Sequence, residues 1–291
     1  MKNSSMEIEK AIILTAGKAQ RLKDDPFLAV IPTKSFFITR RIPSEETILL
    51  REIKTLKELG IKETYIIVAK EVGKRVRNYV ERVKVDEKIE MKIEVVEQEF
   101  MENGNRVVQL KQKISNEAFL ICYGDEVFDG KLNEEFNFFL EKSKEIIKNN
   151  NNVALIRALI KSENYKGGVA TLEEQTKCKV EGNKIFWATK KEFIPRGGEG
   201  VLLFTSFMVA TPKIFEIIEN FQKETGKEQV SLHDLEFTNF LIKKGMLYGI
   251  EVQLNYFNIN RKEDKQKMYE YFTIKDFKSL KTKKDYKLLS L

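Results

Sequence analysis

The sequence predicts an α/β fold: a mostly parallel sheet flanked by helices, followed by a half in which the strands are short and mixed. Three observations predict it. Residues 11–15 (AIILT), 64–69 (TYIIVA) and 118–123 (AFLICY) are continuous apolar runs without polar alternation, the signature of parallel strands buried on both faces. Segments of helical periodicity separate these runs at βαβ spacing. After residue 152 that rhythm gives way to β-rich segments with tight connections.

The elements follow in order. The first strand, 11–15, stops at the small pair Ala16-Gly17. Residues 46–59 carry Ile48, Leu49, Ile53, Leu56 and Leu59 at helical spacing, and Gly60 stands where a helix closes. The strand 64–69 precedes a helix at 72–83, a strand at 91–96 and helical spacing at 107–114. The strand 118–123 ends at Gly124-Asp125, and a long helix covers 132–148. Past the polar break 149–152, strands are expected at 153–160, 168–172, 178–180, 184–188 and 201–210. Pro212 opens a helix at its first position, and Gly245 closes another over 235–244. A last strand at 246–256 and a helix at 262–272 lead to a basic tail, 273–291. Residues 1–272 read as one domain, with one half at about 8–150 and the other at about 151–272.

Composition excludes several chemistries. Lys and Arg total 51 against 44 Asp and Glu, but the charges interleave, which describes a solvated surface rather than a nucleic-acid face. Cys122 and Cys178 lie far apart and form no CxxC, so neither a disulfide framework nor a zinc site is supported. A single histidine, His233, argues against His-based triads and multi-histidine metal sites. It reads as a surface residue or part of a cap, with Ser231 or Asp234 starting the next helix. Trp187 reads as core or pocket wall. The N-terminus has no apolar leader and no apolar run approaches about 18 residues, so a cytoplasmic protein is expected.

Two segments carry chemistry. The loop LTAGKAQRLK leaves the first strand at Leu14 and Thr15, where small residues expose backbone N–H groups that suit phosphate. Arg21 offers a bidentate grip on a polyphosphate, and Lys34, beyond Pro32, offers a point charge. The loop matches neither GxxxxGK[ST] nor GxGxxG, and a plain strand–loop–helix turn with surface cations has the same composition. Asp125 stands just past a strand's carboxyl end, where α/β sheets bind ligands. One carboxylate completed by substrate phosphates makes a Mg²⁺ site, and an Asx turn is the structural alternative.

In this order the segments resemble the nucleoside-diphosphate-sugar pyrophosphorylases, the sugar-1-phosphate nucleotidyltransferases. AIILTAGKAQRL resembles their nucleotide loop, PTKSFF their Pro-Lys element and ILLREIKTLKELGIKETYIIVA the helix and strand that follow. FLICYGDEVFD resembles the metal-binding strand, FMVATPKIFEII the strand and helix after the sugar pocket, and YFNINRKEDKQKMYEYF the closing element. The likeness spans about residues 8–272. The pattern departs at Ala19, which replaces a loop glycine, and at Tyr256-Phe257-Asn258, which replaces Trp-x-Asp. WATKKEF stands where the family has Glu-Lys-Pro, and Phe204-Thr205-Ser206 where it has Asn-Ala-Gly.

The resemblance implies a Rossmann-like fold of the nucleotide-diphospho-sugar transferase type, whose mixed half binds the acceptor. It implies a nucleoside triphosphate and a phosphorylated small-molecule acceptor as partners, with Mg²⁺ assisting release of pyrophosphate. Arg21, Lys34 and Asp125 would carry catalysis. Leu14, Thr15, Ala16, Gly17, Gln98, Gly104 and Gly124 would bind nucleotide, with Gln98 reading the base. Gly168, Lys190, Lys191 and Thr205 would face the acceptor. Asp125 with Asn258, or Asn260, would hold the metal. Neither nucleic acid nor membrane is implied, and a homo-oligomer is compatible. The alternative is a non-catalytic nucleotide-binding regulatory relative of the same fold.

Overall fold

The computed structural model describes residues 7–15, 38–40, 46–99, 101–114, 116–190 and 201–283, without the side chains of 38–40 and 276–283. The first half contains β1 (Lys10–Leu14), β2 (Ile38–Arg40), β3 (Glu46–Thr47), α1 (Ile48–Glu58), β4 (Glu63–Ala69), α2 (Gly73–Asp86), β5 (Lys92–Gln98), α3 (Asn103–Val108), α4 (Lys111–Ile114), β6 (Phe119–Tyr123), β7 (Glu126–Asp129) and α5 (Leu132–Asn149). The second contains β8 (Leu155–Lys161), α6 (Val169–Glu174), β9 (Lys177–Glu181), β10 (Lys184–Thr189), β11 (Leu202–Ala210), α7 (Lys213–Thr225), α8 (Leu235–Lys243), β12 (Leu247–Glu251), β13 (Asn255–Asn258) and α9 (Lys262–Lys283).

Among the described residues the main sheet has nine strands in the order β5-β4-β1-β6-β11-β8-β12-β10-β9. The first four are parallel. β11 then runs antiparallel to β6 and to β8, and β12 returns parallel to β8. The sheet as a whole is therefore mixed, with its continuous parallel part confined to the first half. β9 also pairs with the start of β11, so the last five strands curl back on themselves.

Period-two alternation sorts β1 between two cores. Ala11 and Ile13 pack with Leu49, Ile53, Val76, Val80 and Phe139 from α1, α2 and α5. Ile12 and Leu14 pack with Ile214, Ile218, Phe221, Phe237 and Leu241 from α7 and α8. The result is a sheet between two helical layers. Gly60 and Gly245 follow helix ends at positive φ, +77° and +67°, as their positions predicted.

Four expected elements are corrected. Residues 168–172 form no strand. They open α6, because the Asp264 carboxylate accepts from Gly168 N–H and Thr171 Oγ1 and winds the segment into a turn. The strand at 246–256 is two, β12 and β13. Between them the chain leaves the main sheet to pair with β7. The helix at 107–114 is also two, α3 and α4. α9 continues past residue 272 into the expected tail, held where Lys275 and Tyr271 reach Asp129. No described helix is long and apolar enough to cross a membrane.

Candidate active site

The site begins where β1 and β6 end together. Leu14 pairs with Tyr123, and Gly124 N–H donates to Leu14 O at 3.0 Å. Thr15 is tied to β4, its N–H and Oγ1 both donating to Ile67 O. The turn after β6 carries Asp125. β13 then lies antiparallel to β7 with Asn258 opposite Glu126, and Ile259 N–H donates to Asp125 O at 2.8 Å. This pairing holds Asn258 beside the Asp125 turn.

A cavity of about 610 Å³ opens here. Asp125, Glu126, Lys190, Ser206, His233, Asn258, Asn260 and Arg261 contribute to its lining. Its floor is polar and organised. Glu126 is buried and accepts from Ser206 N–H at 2.8 Å, from Ser206 Oγ and from the Tyr256 hydroxyl. Burial pushes its carboxyl up to about 7, with Asp125 adding to the rise and the Ser206 and Tyr256 hydrogen bonds opposing it. Arg157 is wholly buried under the Phe204 ring, at 4.7 Å. Its Nη1 donates to Thr205 O at 3.3 Å and its Nη2 to Leu232 O. Burial pulls the guanidinium down to about 10.

His233 is half-buried, its edge against the Tyr123 ring at 4.7 Å and its Nε2 2.9 Å from Ser206 Oγ. Burial, then the charges of Arg157 and Lys190, hold its pKa well below the usual range. A second buried anion, Asp264, accepts five hydrogen bonds, from Gly168 N, Thr171 Oγ1, Tyr165 OH, Asn260 N and Arg261 N. It fixes the loop bearing Asn260 and Arg261 and joins it to α6, whose residues Ala170, Glu173 and Glu174 form another wall.

Of the residues singled out in the sequence, Asp125, Asn258, Asn260 and Lys190 meet in this cavity. Leu14, Thr15 and Gly124 stand at the neighbouring strand ends. Thr205 and Gly168 do not line it. The Thr205 side chain is buried with its hydroxyl on Ala158 O, and Gly168 gives its N–H to Asp264. Gln98 is buried, with Nε2 donating to Arg106 O at 3.3 Å and Oε1 without a hydrogen-bond partner among the described residues. Gly104 gives its N–H to Val230 O, which leaves that donor committed. Ala16, Gly17, Ala19, Arg21, Lys34 and Lys191 lie outside the described residues. Trp187 is half-exposed under Lys179 and is not part of the cavity wall.

Sequence reasoning missed Glu126, Arg157, Ser206, His233 and Asp264. The expected surface or cap role of His233 is corrected. Asp234 is the cap, its carboxylate accepting from Glu236 N–H, and His233 turns into the cavity. Arg157 did leave a signal: it is a lone charge inside the apolar run LIRALI.

No family profile matches the chain. A curated protein from Aquifex aeolicus (strain VF5), the "Bifunctional IPC transferase and DIPP synthase", is 26% identical over 224 residues, 77% of this chain and 44% of that protein. The chain thus spans less than half the length of this relative. The inositol-1-phosphate CTP transferase from T. maritima superposes with a TM-score of 0.62 and 18% identity over 90% of this chain and 95% of that one. A UDP-glucose pyrophosphorylase complexed with UDP-glucose superposes with a TM-score of 0.65 and 15% identity over 92% and 100%. These likenesses support the resemblance read in the sequence: the chain has the α/β fold of nucleotide-sugar-pyrophosphorylase-like nucleotidyltransferases.

Proposed function

We propose that the chain is a nucleotidyltransferase joining a nucleoside triphosphate to a cyclic sugar or polyol 1-phosphate. The observation that carries this reading is the cavity that brings Asp125, at a parallel strand end, together with Asn258 and Lys190. The β1 end from which the glycine and arginine loop departs lies one strand away. The solved relatives, by name, handle inositol 1-phosphate with CTP and UDP-glucose, which supports a ring-bearing acceptor.

The donor set fits Mg²⁺. Asp125 would supply a carboxylate oxygen and Asn258 an amide oxygen, which already accepts from Asn260 Nδ2 at 2.8 Å and keeps a second lone pair. Among the described residues no group of three or more His, Cys, Asp or Glu is placed to hold a metal, so substrate phosphates would complete the shell. When bound, the ion would neutralise phosphate charge. Glu126 has its carboxylate turned to Ser206 and Tyr256, which commits it to the floor rather than to the ion.

In the reaction an acceptor phosphate oxygen attacks the α-phosphorus. A new P–O bond forms as the α–β bridging bond breaks, and pyrophosphate leaves with the electron pair. The nucleophile is already ionised, so positioning and charge do the work. Lys190, in the cavity lining, would hold the acceptor phosphate. Arg21 would stabilise the leaving pyrophosphate and Lys34 the α-phosphoryl group. The test is pyrophosphate release over a grid of CTP, UTP, dTTP, GTP and ATP against inositol 1-phosphate and hexose 1-phosphates with Mg²⁺. One pair is expected to react, and Lys34→Ala and Asp125→Ala each to slow it at least about tenfold, roughly 1.4 kcal/mol. Triphosphate binding without release in any pair would overturn this reading in favour of a regulatory protein.

A further inference from the structure

We infer that His233 is a specificity-determining contact for the acceptor, its Nδ1 accepting a hydrogen bond from an acceptor hydroxyl. The inference rests on the proposed nucleotidyltransferase reading and goes beyond it by naming one atom of the acceptor subsite.

The direction of the Ser206–His233 hydrogen bond is set by where the protons lie. Glu126 takes the Ser206 N–H, the Ser206 hydroxyl and the Tyr256 hydroxyl. Ser206 has one hydroxyl proton, and Glu126 Oε1 receives it. At Ser206 Oγ only acceptor capacity remains, so His233 Nε2, 2.9 Å away, is the donor. A neutral imidazole with its proton on Nε2 carries a bare lone pair on Nδ1. Nδ1 has no hydrogen-bond partner among the described residues and is not among the buried atoms lacking one. The ring lines the cavity, so that lone pair opens on it.

The arrangement is built rather than incidental. Arg157 donates to Thr205 O and Leu232 O, the carbonyls immediately before Ser206 and His233. One buried guanidinium thus fixes both peptides that carry the pair. The depressed basicity of the ring, from burial and from Arg157 and Lys190, agrees with a neutral hydrogen-bond acceptor. A site that presents a fixed acceptor atom selects a ligand with a hydroxyl there and rejects one without it.

His233 is the only histidine of the chain, so long-range ¹H–¹⁵N NMR at pH 8 reads its tautomer without assignment. The expected result is a protonated Nε2 and a bare Nδ1 whose resonance shifts when myo-inositol 1-phosphate or glucose 1-phosphate is added to saturation. A protonated Nδ1, or a resonance unmoved by either at saturation, would sink the inference. In kinetics, H233Q keeps a donor toward Ser206 but places nothing at Nδ1. Its acceptor KM is expected to rise about tenfold, with triphosphate KM nearly unchanged. H233N restores an oxygen near Nδ1 and should recover much of the lost affinity. Pyrophosphate release indifferent to H233Q overturns this inference alone. No release by the wild type with any acceptor overturns the proposed function and this inference with it.

Discussion

The two sides of the cavity are held by different forces. On the parallel side, β1, β4 and β6 present strand ends fixed by an apolar sandwich, with Ile12, Ile13, Ile66 and Ile121 fully buried. On the other side, which the proposed function gives to the acceptor, three buried charged groups, Arg157, Glu126 and Asp264, tie strands and loops together through hydrogen bonds. Those bonds join residues far apart in the chain, 80 positions for Ser206 with Glu126 and 96 for Gly168 with Asp264. The first design delivers backbone atoms to a fixed place and tolerates much of the surface. The second presents side-chain donors and acceptors, and each buried group depends on partners from distant segments.

Asp264→Ala tests this division most severely. It orphans five donors, four of them at 3.1 Å or less, and each buried orphan costs about 1–3 kcal/mol. A stability loss of at least about 3 kcal/mol in urea unfolding is expected on that basis, together with a raised acceptor KM, because Asn260 and Arg261 line the cavity. A variant as stable as the wild type would show that the acceptor side does not depend on its buried anion.

Asp129 applies the same test away from the cavity. Burial raises its carboxyl, but hydrogen bonds from Lys275 and Tyr271 and the charges of Lys275 and Arg51 outweigh burial and lower it overall. Asp129→Ala is expected to lose about 1.5–3 kcal/mol at neutral pH, the range for hydrogen bonds to a charged group. The sign of the pH dependence follows from the depressed value. The stabilisation is present above the unfolded carboxylate pKa, about 3.9, and disappears as pH falls through the lower folded value. Thermal unfolding of both proteins should differ at pH 7, with the gap starting to close below about pH 4 and gone only once the pH has passed the lowered folded value. A gap that persists in acid would assign the effect to packing instead.

Gly104→Ala probes where the sides meet. A Cβ there would lie 2.6 Å from Val230 O, and backbone cannot yield as a flexible side chain does. Overpacking of this kind costs about 1–3 kcal/mol. Unchanged urea unfolding would mean that the α3 contact with residue 230 is looser than the hydrogen bond from Gly104 N–H implies.

The same contrast governs what the sequence revealed. The strands 11–15, 64–69 and 118–123, the Gly60 stop and the place of Asp125 were legible because each is encoded by neighbours in the chain. Residues 168–172 were misread because Val169, Thr171 and Leu172 have strand-like composition, while the decision lies with Asp264, far along the chain. His233 was misread because the residue beside it, Asp234, supplies the cap, and nothing local shows which way the ring turns. Glu126, next to Asp125, was not singled out, because nothing local tells the two neighbouring carboxylates apart. Only the fold shows that Asp125 lines the cavity while Glu126 is gripped from below by Ser206 and Tyr256.

Thr47→Ala gives the smallest expected effect and the sharpest control. Thr47 Oγ1 accepts from Leu50 N–H at 3.1 Å and meets the Tyr79 hydroxyl at 2.7 Å, capping α1 on the parallel side. Its loss should cost about 1 kcal/mol, the usual worth of an N-cap. α1 would remain, because Leu49, Ile53 and Leu56 are still buried in the core that covers β1. Since the cap is local, the penalty should appear in thermal unfolding and not in acceptor KM. If Thr47→Ala raised acceptor KM as Asp264→Ala is expected to, strain in the parallel layer would be reaching the acceptor loops. The two sides would then be one mechanical unit, and the different forces that hold them would no longer separate their roles.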